Sequence, residues 1–507
     1  MSGLFSNPEF IRHTRSQLRP NKLISAASIS FLLSFAVGSF IVRQRHLAGT
    51  SLQGAGVDLL HTAFILQALI LAGGGGIACL NSIFSEKQQN TFDFQRVTRL
   101  TSLELTIGKL FGAPLLMYFL CLCLTPLTLY GAALAEVEIT HLVAAYAVLL
   151  VASIAYHSFT LLLSLLSVRG SQIASILLAL LVLWFASVNM WSPFVRLHAL
   201  GPFDASEVAL SHTWEVSRLD TVKTWDYGTP GFTDLFWHRP VHHLPVLLIV
   251  DGCLIFWFLL GVVRNIKKDP EYYELYSPAQ FLGLAVFLNL LLASFFETRW
   301  ATPLDAQSVF LVFNIVILSL LGIALLRTRE RMRSLVRGAR NRVPVSLAAI
   351  WPAPFLGLAA VLAGLLIVGC LHYAHTPGSA WSPEFALLRS LFFVIWILRD
   401  IQFLQFMDLR PSKHPLAMAF LYLSIYYVCV SFFLTAAGSF RTPQGTPITS
   451  IFLPTPVFVL DAKAWALAPD VWTIGFAVQL ILLALFFYLQ SERIRELRGP
   501  ATALPNA

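Results

Sequence analysis

Long uninterrupted runs of apolar residues dominate this chain, and the polar residues collect in short stretches between them. Runs such as 31–42 and 173–188 contain no charged residue and do not alternate between apolar and polar positions as a half-buried strand would. A helix needs about 20 mainly apolar residues to cross the hydrocarbon core of a bilayer. The pattern therefore predicts an all-α, polytopic membrane protein.

About twelve stretches are long and apolar enough to form membrane-spanning helices. The first six lie near residues 23–42, 57–83, 108–133, 141–167, 172–190 and 244–263. The second six lie near residues 278–296, 307–326, 346–371, 384–404, 415–437 and 471–489. We therefore expect a six-span region at 1–270, with a long outer segment at about 191–243, and an additional six-span region at 271–507.

Composition and charge narrow the class of protein. Only 12% of the 507 residues are charged, against about a quarter in a typical soluble domain, which excludes an ordinary soluble enzyme. With the N-terminus placed in the cytoplasm, 25 of the 35 Lys and Arg residues fall in cytoplasmic segments and 9 in outer loops. Because short loops rich in positive charge resist translocation, both termini are expected to be cytoplasmic, in a plasma (inner) membrane. The net charge of +8 then reflects topology, and no nucleic-acid partner is predicted.

Motifs for nucleotide or metal chemistry are missing from the sequence. A phosphate-binding loop has the form GxxxxGK[ST], and neither Gly73–Gly76 nor Gly108-Lys109 completes it. The histidines of the outer segment match no zinc-ligand spacing, so no metal site is predicted among His198, His212, His238, His242 and His243. We therefore expect a chain that is not an enzyme and binds no cofactor of its own.

A polar segment before the first span has the pattern of a short interfacial helix. At 100° per residue, Arg12, Arg15 and Arg19 share one face, and Ile11 and Leu18 share another. The preceding Asn-Pro pair at 7–8 is typical of a helix cap followed by a first-turn proline. The segment is either a topology anchor or part of a functional surface.

A second polar segment, residues 85–109, lies between spans two and three. It is too rich in charged and hydroxyl groups to cross a membrane and too aromatic to be a simple linker. Phe92 and Phe94 are costly to expose to water unless they contact another surface. Two interpretations stay open, namely a short helix that docks on another protein and an ordinary interfacial loop.

Three motifs in this order resemble the membrane-spanning permease subunits of the type-2 ABC exporter family. They read Asn-Pro-Glu-Phe-x-Arg-x-x-Arg at 7–15, Glu-Lys-x-x-x-Thr at 86–91 and Leu-Thr-Ser-x-Glu-Leu-x-x-Gly-Lys at 100–109. Six spans with a long outer segment between spans five and six are also similar to that family's core. The resemblance covers roughly residues 5–265 and fades from Tyr272 onward.

The resemblance implies a role for each motif. The residues expected on a coupling helix that docks on the ATPase subunit are Glu86, Lys87, Thr91, Phe92, Phe94 and Arg96. Those on an N-terminal elbow helix are Arg12, Arg15 and Arg19, and those that start span three are Glu104, Gly108 and Lys109. ATP and Mg²⁺ would bind the partner ATPase subunit. The permease would work as a homodimer or with a second permease, although the chain could instead contain both halves.

Two other classes of protein are weighed against this interpretation. An ion-coupled secondary transporter is expected to have broken spans in inverted repeats and buried carboxylates, and the sequence has few acidic residues within spans. An integral-membrane lipid-linked glycosyl- or phosphotransferase is expected to place a carboxylate in an outer loop, and the first outer loop, 43–56, has none.

Overall fold

The computed structural model describes residues 6–49, 51–167, 202–206, 208–210, 233–236, 239–269, 273–294, 329–340, 383–411, 415–436 and 469–498, together with residues 175–176, 179–180, 314 and 326. The chain divides into two compact units, Met1–Tyr273 and Glu274–Ala507.

Helices make up nearly all of the described first unit. They are α1 (Pro8–Gln17), α2 (Pro20–Leu47), α3 (Leu52–Ala68), α4 (Gly75–Gln88), α5 (Phe92–Arg96), α6 (Ser102–Gly112), α7 (Leu115–Leu134), α8 (Ile139–Leu166) and α9 (His243–Asn265). A π-helical segment, Leu69–Gly74, joins α3 to α4, and Pro202–Asp204 forms a 3₁₀ turn.

The second unit is described as five helices. These are α10 (Pro278–Ser294), α11 (Arg329–Arg340), α12 (Pro383–Asp408), α13 (Pro415–Ala436) and α14 (Pro469–Arg498).

The strands of the described chain are β1 (Thr233–Phe236) and β2 (Arg239–His242) in the first unit, an antiparallel hairpin in which Thr233 lies opposite His242. Apart from this hairpin in the expected outer segment, the all-α prediction is confirmed.

Six described stretches are long and apolar enough to span a membrane, which identifies an integral membrane protein. They are Pro20–Leu47, Leu52–Gln88, Ser102–Leu134, Ile139–Leu166, Leu244–Asn265 and Phe476–Leu497, and each contains or overlaps one predicted span. The spans expected at 278–296 and 415–437 correspond to the shorter apolar helices Ala279–Leu291 and Pro415–Cys429. The span expected at 384–404 lies in α12, which carries four charged residues there, Glu384, Arg389, Arg399 and Asp400. Those expected at 172–190, 307–326 and 346–371 lie wholly or almost wholly outside the described residues.

The first unit is held together by α3 packed on α7, α4 on α8, and α8 on α9. Its core contains apolar side chains that are completely shielded from solvent, such as Leu60, Phe64 and Leu149. The hydroxyl of Ser164 on α8 donates to the carbonyl of Leu80 on α4, so the α4–α8 contact also has a hydrogen bond between the helices. Because lipid tails are as apolar as these side chains, dense van der Waals packing and interhelical hydrogen bonds hold the helices in one arrangement.

The π-helical segment inserts an irregular turn into the second span. His157 Nε2 lies 2.7 Å from the carbonyl oxygen of Leu71, which can only accept, so Nε2 carries the proton. Nδ1 is then the acceptor for the Tyr118 hydroxyl at 3.4 Å. Gly75 permits this close approach, because a Cβ at that position would lie 2.3 Å from His157 Nε2. The wider turn is therefore packed against a specific polar side chain on α8.

α2 lies at the edge of the first unit. Ala26 and Ser30 are buried, whereas Ile24, Phe31 and Phe35 on other faces of the helix are 66%, 71% and 69% exposed. In a membrane-spanning helix such exposed apolar side chains contact lipid or another membrane protein. Most of the α2 surface is therefore not covered by other helices of this chain and can contact lipid.

In the second unit, α12 and α14 run parallel to one another. Phe392 contacts Phe476, and further along both helices Phe403 contacts Phe486. Between these contacts Arg399 is 3% exposed, and its Nη1 donates to Gln479 Oε1 on α14 at 2.5 Å. This unit therefore encloses a buried cation between its apolar helices.

Candidate functional site

The polar segment between α4 and α6 folds as a short connecting loop, residues 89–101, which contains the single turn of α5. After α4 ends, Asn90 adopts a left-handed conformation with φ 56°, which asparagine tolerates better than most residues. α6 begins with a capping box, in which the Thr101 hydroxyl accepts the Glu104 N–H and the Glu104 carboxylate accepts the Thr101 N–H. Both ends of the loop are therefore defined by local sequence signals.

Four charged side chains from three helices meet beside this loop. Lys109 Nζ on α6 lies 2.9 Å from Glu9 Oε1 on α1 and 2.6 Å from Glu86 Oε2 on α4. Arg12 Nη2 on α1 lies 2.7 Å from Glu9 Oε1 and 2.5 Å from Glu86 Oε1. We call these four residues the charged cluster. It contains two positive and two negative groups, so its formal charges balance.

The charged cluster is mostly shielded from solvent. The side chains of Lys109, Glu9 and Glu86 are 0%, 6% and 9% exposed, whereas that of Arg12 is 49% exposed. Removing an ion from water costs several kcal/mol, so this arrangement is stable only because each buried charge has close partners. Gln95 in α5 adds a hydrogen bond of 2.7 Å to Glu86 Oε1. The cluster thus links the connecting loop to α1 and α6.

Glu9 is the acid whose ionisation the site perturbs most clearly. Burial by itself raises the pKa of Glu9, but the contact with His13 and the positive charges of Lys109 and Arg12 outweigh burial and lower that pKa to about 2. In the same way, burial lowers the pKa of Arg12, but the carboxylates of Glu86 and Glu9 outweigh it and raise that pKa. Glu9 and Arg12 are therefore both charged at neutral pH.

Further contacts attach α1 to the start of α6. The Asn7 side chain caps α1 by accepting the N–H of Glu9 at 2.9 Å, and its Nδ2 donates to the Glu104 carbonyl at 2.7 Å. Gly108 permits this close approach, because a Cβ there would lie 2.7 Å from the Cβ of Glu9. Gln17 at the end of α1 donates to the Ala113 carbonyl at 2.7 Å. The buried face of α1 is therefore bonded along its whole length.

Lys87 attaches the end of α4 to the end of α8. Its ammonium donates to the carbonyls of Ser164 at 3.2 Å, Leu165 at 2.5 Å and Ser167 at 3.1 Å. The last carbonyls of a helix have no partners within the helix and carry partial negative charge, so a lysine there is favourable. The same ammonium lies 6.0 Å from the ring centroid of Tyr273. Lys87 therefore acts as a cap for α8.

Arg96 attaches α5 to the segment that follows α9. Its Nη1 lies 2.7 Å from the Asp93 carboxylate and its Nη2 lies 2.5 Å from that of Asp269. Lys267 reaches the loop as well, with Nζ donating to the Thr98 carbonyl at 3.0 Å. The carboxylates of Asp93 and Asp269 are 69% and 64% exposed, so these ion pairs contribute little stability but restrict where α5 lies.

The connecting loop presents two apolar side chains to solvent. Phe94 is 74% exposed and Val97 is 83% exposed, whereas Phe92 is only 3% exposed. We call Phe94 and Val97 the apolar tip. Neighbouring apolar residues that remain exposed on an otherwise anchored loop are typical of a contact surface for another molecule.

The residues predicted to form a docking surface therefore divide into two groups. Glu86, Lys87 and Phe92 face inward and bond or pack within the chain. Phe94 faces outward, and Arg96 lies between the two groups with a side chain that is 10% exposed. Thr91 donates from its hydroxyl to the Glu86 carbonyl at 3.3 Å.

The residues expected on the elbow helix and at the start of span three also have distinct positions. Arg15 and Arg19 are exposed, and Arg12 joins the charged cluster. Gly108 and Lys109 are buried beneath α1. The contacts of Glu86, Lys109 and Lys87 thus connect α1, α4, α6 and α8 beside the loop.

Sequence reasoning did not select three residues that the structure brings to this site. Glu9 belongs to the Asn-Pro-Glu-Phe motif but was given no role, although it lies one helical turn before Arg12, with which it pairs. Gln95 and Asp269 lie 9 and 173 residues from the side chains that they contact, Glu86 and Arg96. Such pairs are visible only after the helices have packed.

Within the part of the chain that the structure describes, no three His, Cys, Asp or Glu side chains are grouped as metal ligands would be. The outer histidines at 198, 212 and 238 lie outside the described residues. Comparisons with known proteins find no matching family model, no matching curated protein and no matching solved structure.

Proposed function

We propose that this chain is the membrane-spanning permease subunit of an ATP-driven exporter of the ABC class. The observation that carries the proposal is the connecting loop between the second and third spans, which has an exposed apolar tip and an interior anchored to several helices. A partner that binds the exposed tip could displace the loop, and the anchored interior would pass this displacement to the spans. The motif resemblance supports the same interpretation.

The anchoring contacts define a route for movement. Force applied at Phe94 would reach α1 and α6 through Glu86 and Lys109, and it would reach α8 through Lys87. Because packed helices move as rigid bodies, a displaced loop would carry these helices with it and alter the substrate path between them. ATP and Mg²⁺ would bind to the separate ATPase subunit, and this chain would hold no cofactor.

The proposal also defines the partners and the location. ABC ATPases close as a pair around ATP, so the complex needs two docking loops. The sequence carries the loop motif once, which favours a homodimer or pairing with a second permease. The loop would lie on the cytoplasmic side of the plasma (inner) membrane, in contact with the ATPase, and the spans would contact lipid.

The test is to purify the full chain in mild detergent through a C-terminal tag and to count the co-purifying chains by mass spectrometry. We expect a stoichiometric subunit that contains a phosphate-binding loop. The apolar tip is then changed by Phe94→Ser with Val97→Ser. Truncating a central contact residue typically costs at least about 2 kcal/mol of binding, so we expect at least about 30-fold weaker ATPase binding and the loss of substrate-stimulated ATP hydrolysis.

A matched control is available at the other end of the spans. Leu52 and Ile139 are 66% and 76% exposed, close to the values for the tip, and they begin α3 and α8. The Leu52→Ser/Ile139→Ser variant should therefore keep its ATPase partner. The proposal is wrong if the wild-type chain purifies alone under conditions that preserve other membrane complexes, or if the tip variant and the control bind equally well.

A second candidate function is an ion-coupled transporter, which one feature of the second unit favours. Asp400 accepts from Arg399 Nη2 at 2.5 Å and from the Tyr427 hydroxyl, and Arg399 is buried. Buried ionisable groups in membrane proteins commonly mark ion or substrate pathways. Under this alternative, Asp400→Asn abolishes transport driven by an ion gradient without any ATPase subunit. Under the ABC proposal, transport requires the ATPase subunit and ATP.

A further inference from the structure

The exposed face of α1 forms a basic groove where the chain enters the first span. The groove has a volume of about 490 Å³ and is lined by Pro8, Ile11, Arg12, Arg15, Ser16 and Arg19. It follows from the helical spacing of these residues, since positions 12, 15 and 19 share one face. The opposite face of α1 is occupied by its contacts with α6. The groove therefore faces away from α6 and shares only Arg12 with the charged cluster.

The three arginines of the groove differ in their ion pairing. Arg12 is already paired with Glu9 and Glu86. Arg15 and Arg19 are exposed, and within the described part of the chain neither forms an ion pair. Lys22 lies at the edge of the groove and donates from Nζ to the Ser16 carbonyl at 3.3 Å. The groove thus has an excess of positive charge without a carboxylate in its lining.

The distance from the groove to the lipid-facing part of α2 indicates which layer of the bilayer surrounds the groove. Ile24 is the first large apolar side chain of α2 that is strongly exposed, at 66%, which marks the start of the lipid-facing surface. Arg19 precedes Ile24 by five residues, which is about 7.5 Å along a helix. The headgroup layer on each side of a bilayer is about 5–7 Å thick. Arg19 therefore lies at the depth of the lipid phosphates.

We propose that this groove binds the phosphate group of an anionic phospholipid from the leaflet that surrounds the start of α2. A guanidinium is planar and presents paired N–H donors that match phosphate oxygens. Pro8 and Ile11 supply apolar surface beside the charges, which suits the first carbons of the lipid acyl chains. The site does not depend on the transport mechanism, because it requires only that α2 lies in a membrane.

Native mass spectrometry of the full chain in detergent tests the proposal, with phosphatidylglycerol and phosphatidylcholine added in separate titrations. We expect phosphatidylglycerol to bind more tightly than phosphatidylcholine. Each basic residue near an anionic lipid surface contributes about a fivefold factor in affinity. Arg15→Gln with Arg19→Gln should therefore weaken phosphatidylglycerol binding about 25-fold and leave phosphatidylcholine binding unchanged. Both side chains are exposed, so the variant should fold normally.

Controls separate this site from general attraction between charges. Arg43 is an exposed arginine at the other end of the same helix, so Arg43→Gln removes the same charge away from the groove. We expect about a fivefold loss for Arg19→Gln alone and no loss for Arg43→Gln. Equal losses for the two variants would overturn the proposal. Displacement of the lipid by an equal concentration of inorganic phosphate would also overturn it, because the groove would then bind a soluble anion.

Discussion

Replacing Lys109 by methionine tests whether the charged cluster holds the connecting loop in place. Methionine keeps the length and apolar stem of lysine but removes its ammonium. Lys109 is completely buried, and it lies 2.9 Å from Glu9 and 2.6 Å from Glu86. Without it, two largely buried carboxylates share the single positive charge of Arg12. We therefore expect Lys109→Met to be strongly destabilising.

The expected magnitude follows from burial. Removing one partner of a buried ion pair costs about 3–5 kcal/mol, because a charge remains without compensation in the interior. Arg12→Met should cost less, about 1 kcal/mol, because its side chain is 49% exposed and water screens its pairs. In the double variant Lys109→Met/Glu86→Gln, Glu9 and Arg12 remain as a balanced pair. This double variant should therefore be more stable than Lys109→Met alone.

The assay is equilibrium unfolding in mixed detergent micelles, followed by tryptophan fluorescence, and it yields a free energy of unfolding for each variant. Lys22→Met is the matched control, since it removes an exposed lysine close to α1 and should change stability by less than about 0.5 kcal/mol. The reasoning is refuted if Lys109→Met costs no more than Lys22→Met, or if adding Glu86→Gln makes Lys109→Met still less stable.

Two further predictions concern pH and packing. Because the pKa of Glu9 falls from 4.5 to about 2 on folding, its stabilising contribution is complete above about pH 4.5 and is lost as the pH falls towards 2. The free energy of unfolding of the wild type should approach that of Glu9→Gln over this interval, and a constant difference would contradict the assignment. Gly75→Ala places a Cβ 2.3 Å from His157 Nε2, which must move away from the Leu71 carbonyl at a cost of about 1–3 kcal/mol. Gly252→Ala, which meets nothing within 4 Å, is the control, and equal Tm values for the two variants would count against this packing.

The connecting loop illustrates which parts of the site were open to prediction. The capping motif at Thr101 and Glu104 acts between residues that are three apart, so the sequence contains the whole interaction. Phe92 and Phe94 are two residues apart in one helical turn, where such positions point about 200° apart. Only the packed structure shows that Phe92 is the buried one and Phe94 the exposed one.

The sequence by itself determined that this is a helical membrane protein, where its long apolar helices lie, and that a polar amphipathic helix precedes the first of them. These properties depend on apolar length, helical periodicity and capping, which are local along the chain. The tertiary structure alone decided that Lys109 meets Glu9 across 100 residues of sequence, and that Lys87 caps α8 rather than facing outward. Such contacts depend on which helix faces pack together, and that choice is made by the combined shape and burial of many side chains and cannot be read from the spacing of a few.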